Sequence, residues 1–283
     1  MIHQHHKHIP ILLSAILLSA IFSCTNHPEK SQPTIAVSIE PLRFFVEQIA
    51  GDRYEVLTMV PSTSSPETYE PTAQQMVQLS QSAVYIKVGE IGFERTWISR
   101  LTENSPKMAI CNASNGIPLL KTPQGHDDPH TWMSIANARI MATNICEALT
   151  EALPSDSTML RQNLSRLLTT IDSTEQVVTG LLARCHQKGF IVYHPSLTYF
   201  AHENGLLQLA IEEEGHEPSA RQIQELIVKA RQENIKVLLM QEQFANRHTT
   251  TILQETGAIP MTFNPLNPNW PSEMIHIDQI LSQ

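Results

Sequence analysis

The sequence is poor in cysteine and in positive charge. Its 283 residues hold four cysteines, and no two are spaced Cys-x-x-Cys. Lysine and arginine total 19 against 28 aspartate and glutamate. A deficit of basic residues argues against nucleic acid as a partner; an acidic surface is compatible with cations without establishing a metal site. No His-Glu-x-x-His motif occurs, and no general base or oxyanion-donor motif stands beside the candidate ligands described below. The apolar stretch Ile9 to Phe22 is too short to cross a bilayer, which takes about 20 apolar residues.

That stretch fits the h-region of a secretory signal, preceded by a polar, weakly basic start containing His3, His5, His6, Lys7 and His8. It ends in Ile21-Phe22-Ser23-Cys24, which resembles the lipobox of bacterial lipoproteins, although Phe22 is bulkier than usual there; the alternative is an ordinary signal peptide beside a chance cysteine. With the lipobox, residues 1–23 are removed, Cys24 carries the lipid, and acyl chains hold a soluble domain on a membrane. The His cluster then leaves with the signal. The exported chain keeps 18 basic and 28 acidic residues, a net of −10. Residues 24–34 read as a polar tether, and the remaining ~250 residues suffice for two lobes. Cys111, Cys146 and Cys185 read as buried thiols, with one disulfide plus an odd thiol as the alternative.

One long helix is expected from Asp156 to Gln187. Leu160, Leu164, Leu167, Ile171, Thr174, Val178, Leu181 and Cys185 recur in steps of four and three, the seam of a helix packed along its length. Such a helix would span roughly 45–50 Å. The regions on either side, 35–155 and 188–283, repeat one plan. Glu40-Pro41, Phe45 and Gly51 match His194-Pro195, Tyr199 and Gly205 at a constant offset, and Glu70-Pro71-Thr72-Ala73 matches Glu217-Pro218-Ser219-Ala220. Short strands alternate with helices in both, with Thr72 and Ser219 as helix caps. The fold class is therefore α/β: two related lobes with central sheets, joined by one long rigid helix.

In such sheets ligands gather beyond the carboxyl ends of strands. Glu67, in a loop after the second strand, His130, before the helix at 135–153, and His194, ending the first strand of the second lobe, meet that test. A carboxylate with two imidazoles suits Zn²⁺ or Mn²⁺ and not Ca²⁺.

Four passages then resemble the metal-binding lipoproteins of ABC importers for zinc and manganese, the cluster A-I family. Ser65-Pro66-Glu67-Thr68-Tyr69-Glu70-Pro71 is similar to its Pro-His-x-Tyr-x-Pro loop. Asp128-Pro129-His130-Thr131-Trp132 with Asn137-Ala138, and Phe190 to His194 with Tyr199-Phe200 and Gly205-Leu206, are similar to its second and third ligand passages. Thr256-Gly257-Ala258 with Asn264-Pro265-Leu266 is similar to its C-terminal passage, where the family usually has Asp-Pro-Leu. The resemblance implies a metal held between the lobes, no enzymatic activity, an ABC permease as partner, a lipid anchor on the extracytoplasmic side and a monomer. Carried over, His130 and His194 keep the family's identity, its first histidine falls on Glu67, and its acidic ligand falls on Asn264. Asn264 offers only a neutral carbonyl oxygen, so Gln241, Glu242 or water remain alternatives for the fourth position.

Zn²⁺ is favoured over Mn²⁺ by the Irving–Williams order, and affinity is expected to fall as pH drops through the histidine range near ~6.5. A metal-dependent hydrolase and a surface adhesin are the competing functions. His202, His248 and His276 read as packed or surface residues, Gly125-His126-Asp127-Asp128 is at most a stump of the His/Asp-rich loop that many zinc members of the resembled family carry, and the acidic run Glu212 to Glu217 reads as a solvated loop. Trp132 and Tyr69 are expected to wall the site.

Overall fold

The computed structural model describes residues 33–103, 105–212, 215–241 and 247–283. The signal sequence, Cys24, nearly all of the tether, and Glu242 lie outside these residues.

The first sheet is built from β1 (Thr34–Ile39), β2 (Glu55–Val60), β3 (Val84–Lys87) and β4 (Ala109–Asn112), in the order β2-β1-β3-β4. All its pairings are parallel, with Ile35 opposite both Val56 and Val84. In β1 every residue from Ile35 to Ile39 is buried, as a parallel strand covered on both faces requires. Helices α1 (Glu40–Ala50), α2 (Ala73–Ser80) and α3 (Gly92–Glu103) connect the strands. Pro41 sits in the first turn of α1, where its missing N–H costs nothing. Gly51 ends α1 at φ +66°, and Thr72 forms a reciprocal cap with Gln75 at α2.

The second sheet repeats the first. Strands β5 (Gly189–Val192), β6 (Leu207–Ala210), β7 (Val237–Met240) and β8 (Ile259–Thr262) run parallel in the order β6-β5-β7-β8, so the internal repeat extends to topology. Helices α6 (Thr198–Glu203), α7 (Ala220–Gln232) and α8 (Arg247–Thr256) connect them. Ser219 caps α7 through Gln222 as Thr72 caps α2. The segment β8, α8 and the last helix, α9 (Trp270–Leu281), was not read from the sequence. Its signals are there: Asn269 caps α9, Pro271 opens it, and Trp270, Met274, Ile277 and Leu281 recur at helical spacing.

Between the sheets run α4 (Ile135–Ala152) and α5 (Ser157–Leu182). α5 is the expected joining helix, with Leu160, Leu167, Ile171, Thr174 and Val178 buried. At 26 residues it spans roughly 39 Å and stops five residues before Gln187. Beyond Leu182 the hydrogen bonds tighten: Arg184 and Cys185 donate to the carbonyls three residues back, the signature of a closing turn. Cys185 is thus off the helix, its thiol 3.0 Å from the Leu281 carbonyl oxygen. Cys111, Cys146 and Cys185 are all free thiols.

One hydrophobic core runs through both sheets. β5 divides its side chains by alternation: Phe190 and Val192 join the core that also holds Ile35, Phe45, Leu160 and Trp270, while Ile191 and Tyr193 join a smaller cluster with Ile227, Leu238 and Ile252 on the far face. α9 packs back along α5, and Trp270 meets Phe45 of α1 with ring centroids 5.3 Å apart.

Candidate metal centre

The structure brings His130 and His194 together. Their Nε2 atoms lie 3.1 Å apart, and the rings meet edge to face at 5.0 Å between centroids. Each Nδ1 is bonded to a carboxylate: His130 to Asp128 Oδ1 at 2.8 Å, and His194 to Glu212 Oε1 at 3.1 Å. Carboxylates accept, so in the neutral rings both protons belong on Nδ1. Both Nε2 atoms then present lone pairs to each other. Two lone pairs at that distance repel, and the contact becomes favourable when a proton or a metal cation lies between them. Two nitrogens each ~2.0–2.1 Å from a tetrahedral ion would sit roughly 3.3–3.4 Å apart, close to the spacing found.

The His130 half is built into the core. The Asp128 carboxylate accepts from the His130 backbone N–H at 2.9 Å as well as from the ring. Thr131 shares a hydrogen bond with Ser114 at 2.7 Å, and the Asn137 amide donates to the Thr131 carbonyl. Ser134 caps α4 just beyond. Burial opposes a charged His130 ring, but the charge and hydrogen bond of Asp128, with the charge of Glu67, outweigh it and hold its pKa above the ordinary value. Burial likewise opposes ionised Asp128, yet His130 and the Thr198 hydroxyl hold it below the usual carboxylate range.

The His194 half follows β5, and the alternation of that strand aims the ring toward the shared core. Its partner Glu212, two residues after β6, is buried and accepts from Gly215 N–H at 2.9 Å. The expected solvated acidic loop therefore begins with a buried residue. Glu212 and Asp128, the carboxylates behind the two rings, are not singled out by the sequence. The signals were available: Glu212 lies just past a strand, and Asp128 stands two residues before His130 in a short Asp-Pro-His turn.

The other candidates sit apart from this pair. Glu67 Oε2 accepts from Gly92 N–H at 3.1 Å and from Arg95 Nη2 at 3.3 Å. Asn264 Oδ1 accepts from Leu266 N–H at 2.9 Å, committing it to a turn, and its own N–H donates to Glu273. That turn docks on the site, because Trp132 Nε1 donates to the Pro265 carbonyl at 2.7 Å. Gln241 is half-buried at the end of β7. Among the described residues no three His, Cys, Asp or Glu side chains converge on one point. Trp132 walls His130 at 5.2 Å between centroids, while Tyr69 packs on Phe93 and donates to Gln75. His126 and His202 are exposed, and His276 is bonded to the Thr262 carbonyl. His248 departs from the expected surface position: its side chain is mostly buried, 3.7 Å from Glu217.

Two α/β lobes on one core, with one oriented imidazole from each side meeting at 3.1 Å, define a metal-binding protein of the substrate-binding class. Residues 35–277 match the family described as Zinc-uptake complex component A periplasmic, ZnuA, and the chain belongs to that family. It is 29% identical over 258 residues to the putative metal-binding protein of Chlamydia trachomatis serovar D, covering 90% of this chain and 92% of that one. A crystal structure of ZnuA is similar at TM-score 0.84 and 34% identity, covering 88% of this chain and 98% of that one. A ZnuA deletion mutant with zinc bound is similar at 0.83 and 33% identity, covering 89% and 98%.

Proposed function

We propose that this chain is an extracytoplasmic receptor that captures a divalent transition metal, zinc foremost, and delivers it to an ABC permease. The observation that carries this reading is the pair of Nε2 atoms facing each other at 3.1 Å, each ring fixed by a carboxylate behind it. Imidazole nitrogen is a good ligand for Zn²⁺, and carboxylates behind metal-bound histidines orient the rings and raise their basicity. Capture is reversible coordination without a reaction.

His130 and His194 supply the nitrogen donors. Glu67 is the third donor when its carboxylate leaves the N-terminus of α3, and water takes that place while it stays there. Asn264, engaged in its own turn, leaves the fourth position to water. The two lobes, 35–155 and 188–283, are the units that close on the ion, and the shared core restricts them to small rotations. Cys24 carries the lipid that keeps the receptor, as a monomer, at the membrane surface.

Titration calorimetry on the mature chain tests this. One Zn²⁺ per chain is expected, with affinity lost by more than ~100-fold in His130→Ala and in His194→Ala, since even outer partners of a ligand are worth ~10–100-fold. Undiminished Zn²⁺ binding in both variants would overturn the site. Mn²⁺ binding that survives stoichiometric Zn²⁺ would overturn the choice of metal.

A further inference from the structure

The loop that carries Glu67 is docked on the start of α3. Phe93 N–H donates to the Pro66 carbonyl at 2.7 Å, and Gly92 N–H to Glu67 Oε2 at 3.1 Å. A Cβ at Gly92 would stand 2.6 Å from the Glu67 carbonyl oxygen and 2.7 Å from its Cα, so only glycine permits this approach. A carboxylate there is favoured by the free N–H groups and the dipole of the helix. Arg95, one turn along, adds its guanidinium: Nη2 reaches Glu67 Oε2 at 3.3 Å while Nη1 is fixed on the Glu90 carbonyl at 2.5 Å. The Glu67 charge is nevertheless felt at His130. The carboxylate acts on His130 through its charge while its hydrogen bonds are committed elsewhere.

We propose that Arg95 is a specificity-determining residue of the metal site, its guanidinium competing with the incoming ion for the Glu67 carboxylate. This rests on the metal-receptor reading above. An ion satisfied by two imidazole nitrogens and water loses little by leaving Glu67 on Arg95. An ion that depends on carboxylate oxygen must break that pairing first. Zn²⁺ is of the first kind and Mn²⁺ of the second. Arg95 therefore tilts a site of mixed donors toward zinc.

The effect is a few-fold, because the guanidinium is more than half exposed and exposed ion pairs are weak. In calorimetry on the mature chain, Arg95→Gln should tighten Mn²⁺ binding about two- to five-fold and change Zn²⁺ binding by less than about twofold. Arg95→Lys, which keeps the charge, should stay near wild type for both ions. Adding Glu67→Gln to Arg95→Gln should erase the Mn²⁺ gain. Equal tightening of both ions, no change in either, or a gain that persists in the double variant would overturn the role of Arg95. A wild-type chain that binds no Zn²⁺ would sink the receptor reading itself, whereas tight Zn²⁺ binding with an unmoved Mn²⁺ ratio would sink only this inference.

Discussion

The two halves of the proposed metal centre follow one sheet topology but are held by different means. His130 is buried, tied twice to one carboxylate, and stands at the foot of α4 within the core that α1, α5 and α9 share. His194 is the more exposed ring, and its single carboxylate partner comes from a loop beyond the edge strand β6. The far face of its sheet rests on the smaller cluster around Ile191 and Ile252. One imidazole is thus pre-set, and the other has room to adjust as the ion arrives.

The largest expected effect tests whether the shared core carries the site. Trp270 is nearly fully buried, packs on Phe45, and donates from its indole to the Trp132 carbonyl at 2.7 Å. Trp270→Ala should cost about 3–5 kcal/mol in urea unfolding and weaken Zn²⁺ binding with it. Ile252→Val in the smaller cluster should cost about 0.5–1.5 kcal/mol and leave affinity unchanged. Intact affinity in a folded Trp270→Ala variant would break the link between core and site.

Next comes the contrast between the two carboxylates. Asp128→Ala removes the acceptor of two hydrogen bonds at a buried ring, and a loss of Zn²⁺ affinity near 100-fold is expected. Glu212→Ala should lose about tenfold, the lower end for such partners. Equal losses would mean that the halves are equally pre-set, and the reverse order would invert the comparison.

The shared core also contains a liability. Asp278 of α9 is fully buried, and neither carboxyl oxygen has a hydrogen-bond partner. Burial first, then the charge of Glu203, pushes its pKa up to about 8. The folded chain therefore holds this proton where the unfolded chain releases it near the ordinary value of 3.8. Stability from this group is fully present below ~4 and falls by up to about 1.4 kcal/mol per pH unit until the folded pKa is passed. Asp278→Asn should flatten that slope in urea melts from pH 4 to 8; an unchanged slope would place the titration elsewhere.

Much of this was legible in the sequence because it is local. The caps at Thr72 and Ser219, the repeated Glu40-Pro41 and His194-Pro195 steps, and the leucine seam of α5 follow from neighbours within a turn or two. His130 and His194 stood out by following strands or opening a helix. Their closeness depends on long-range packing that no local pattern encodes. For the same reason Asp128 and Glu212 passed unnoticed: each is defined by the ring that it touches. The seam of α5 was overextended because Leu181 and Cys185 keep the apolar spacing, whereas the stop depends on tightening after Leu182 that spacing alone does not reveal. Glu67 shows the opposite case: its position in a motif suggests a ligand, and the Gly92 N–H and Arg95 guanidinium that hold its carboxylate in the structure are not encoded in that motif.

The smallest expected effect separates the halves most cleanly. Ser134 and Ser219 are both helix caps, accepting from the N–H three residues on at 3.1 and 3.3 Å. Ser134 is buried, so Ser134→Ala strands the Asn137 N–H away from water and should cost about 1–2 kcal/mol. Glu203 of the second lobe still accepts from Ile135 and Ala136 N–H at 3.1 and 3.0 Å, which keeps α4 from fraying completely. Ser219 is exposed, and water can replace its hydroxyl, so Ser219→Ala should cost about 0.5–1 kcal/mol. Stability alone would barely tell the two apart. Zn²⁺ affinity should, because α4 begins five residues after His130 and its first turn anchors the Thr131 carbonyl through Asn137. Ser134→Ala is expected to weaken Zn²⁺ a few-fold and Ser219→Ala not at all; equal affinities would show that His130 is held by Asp128 alone.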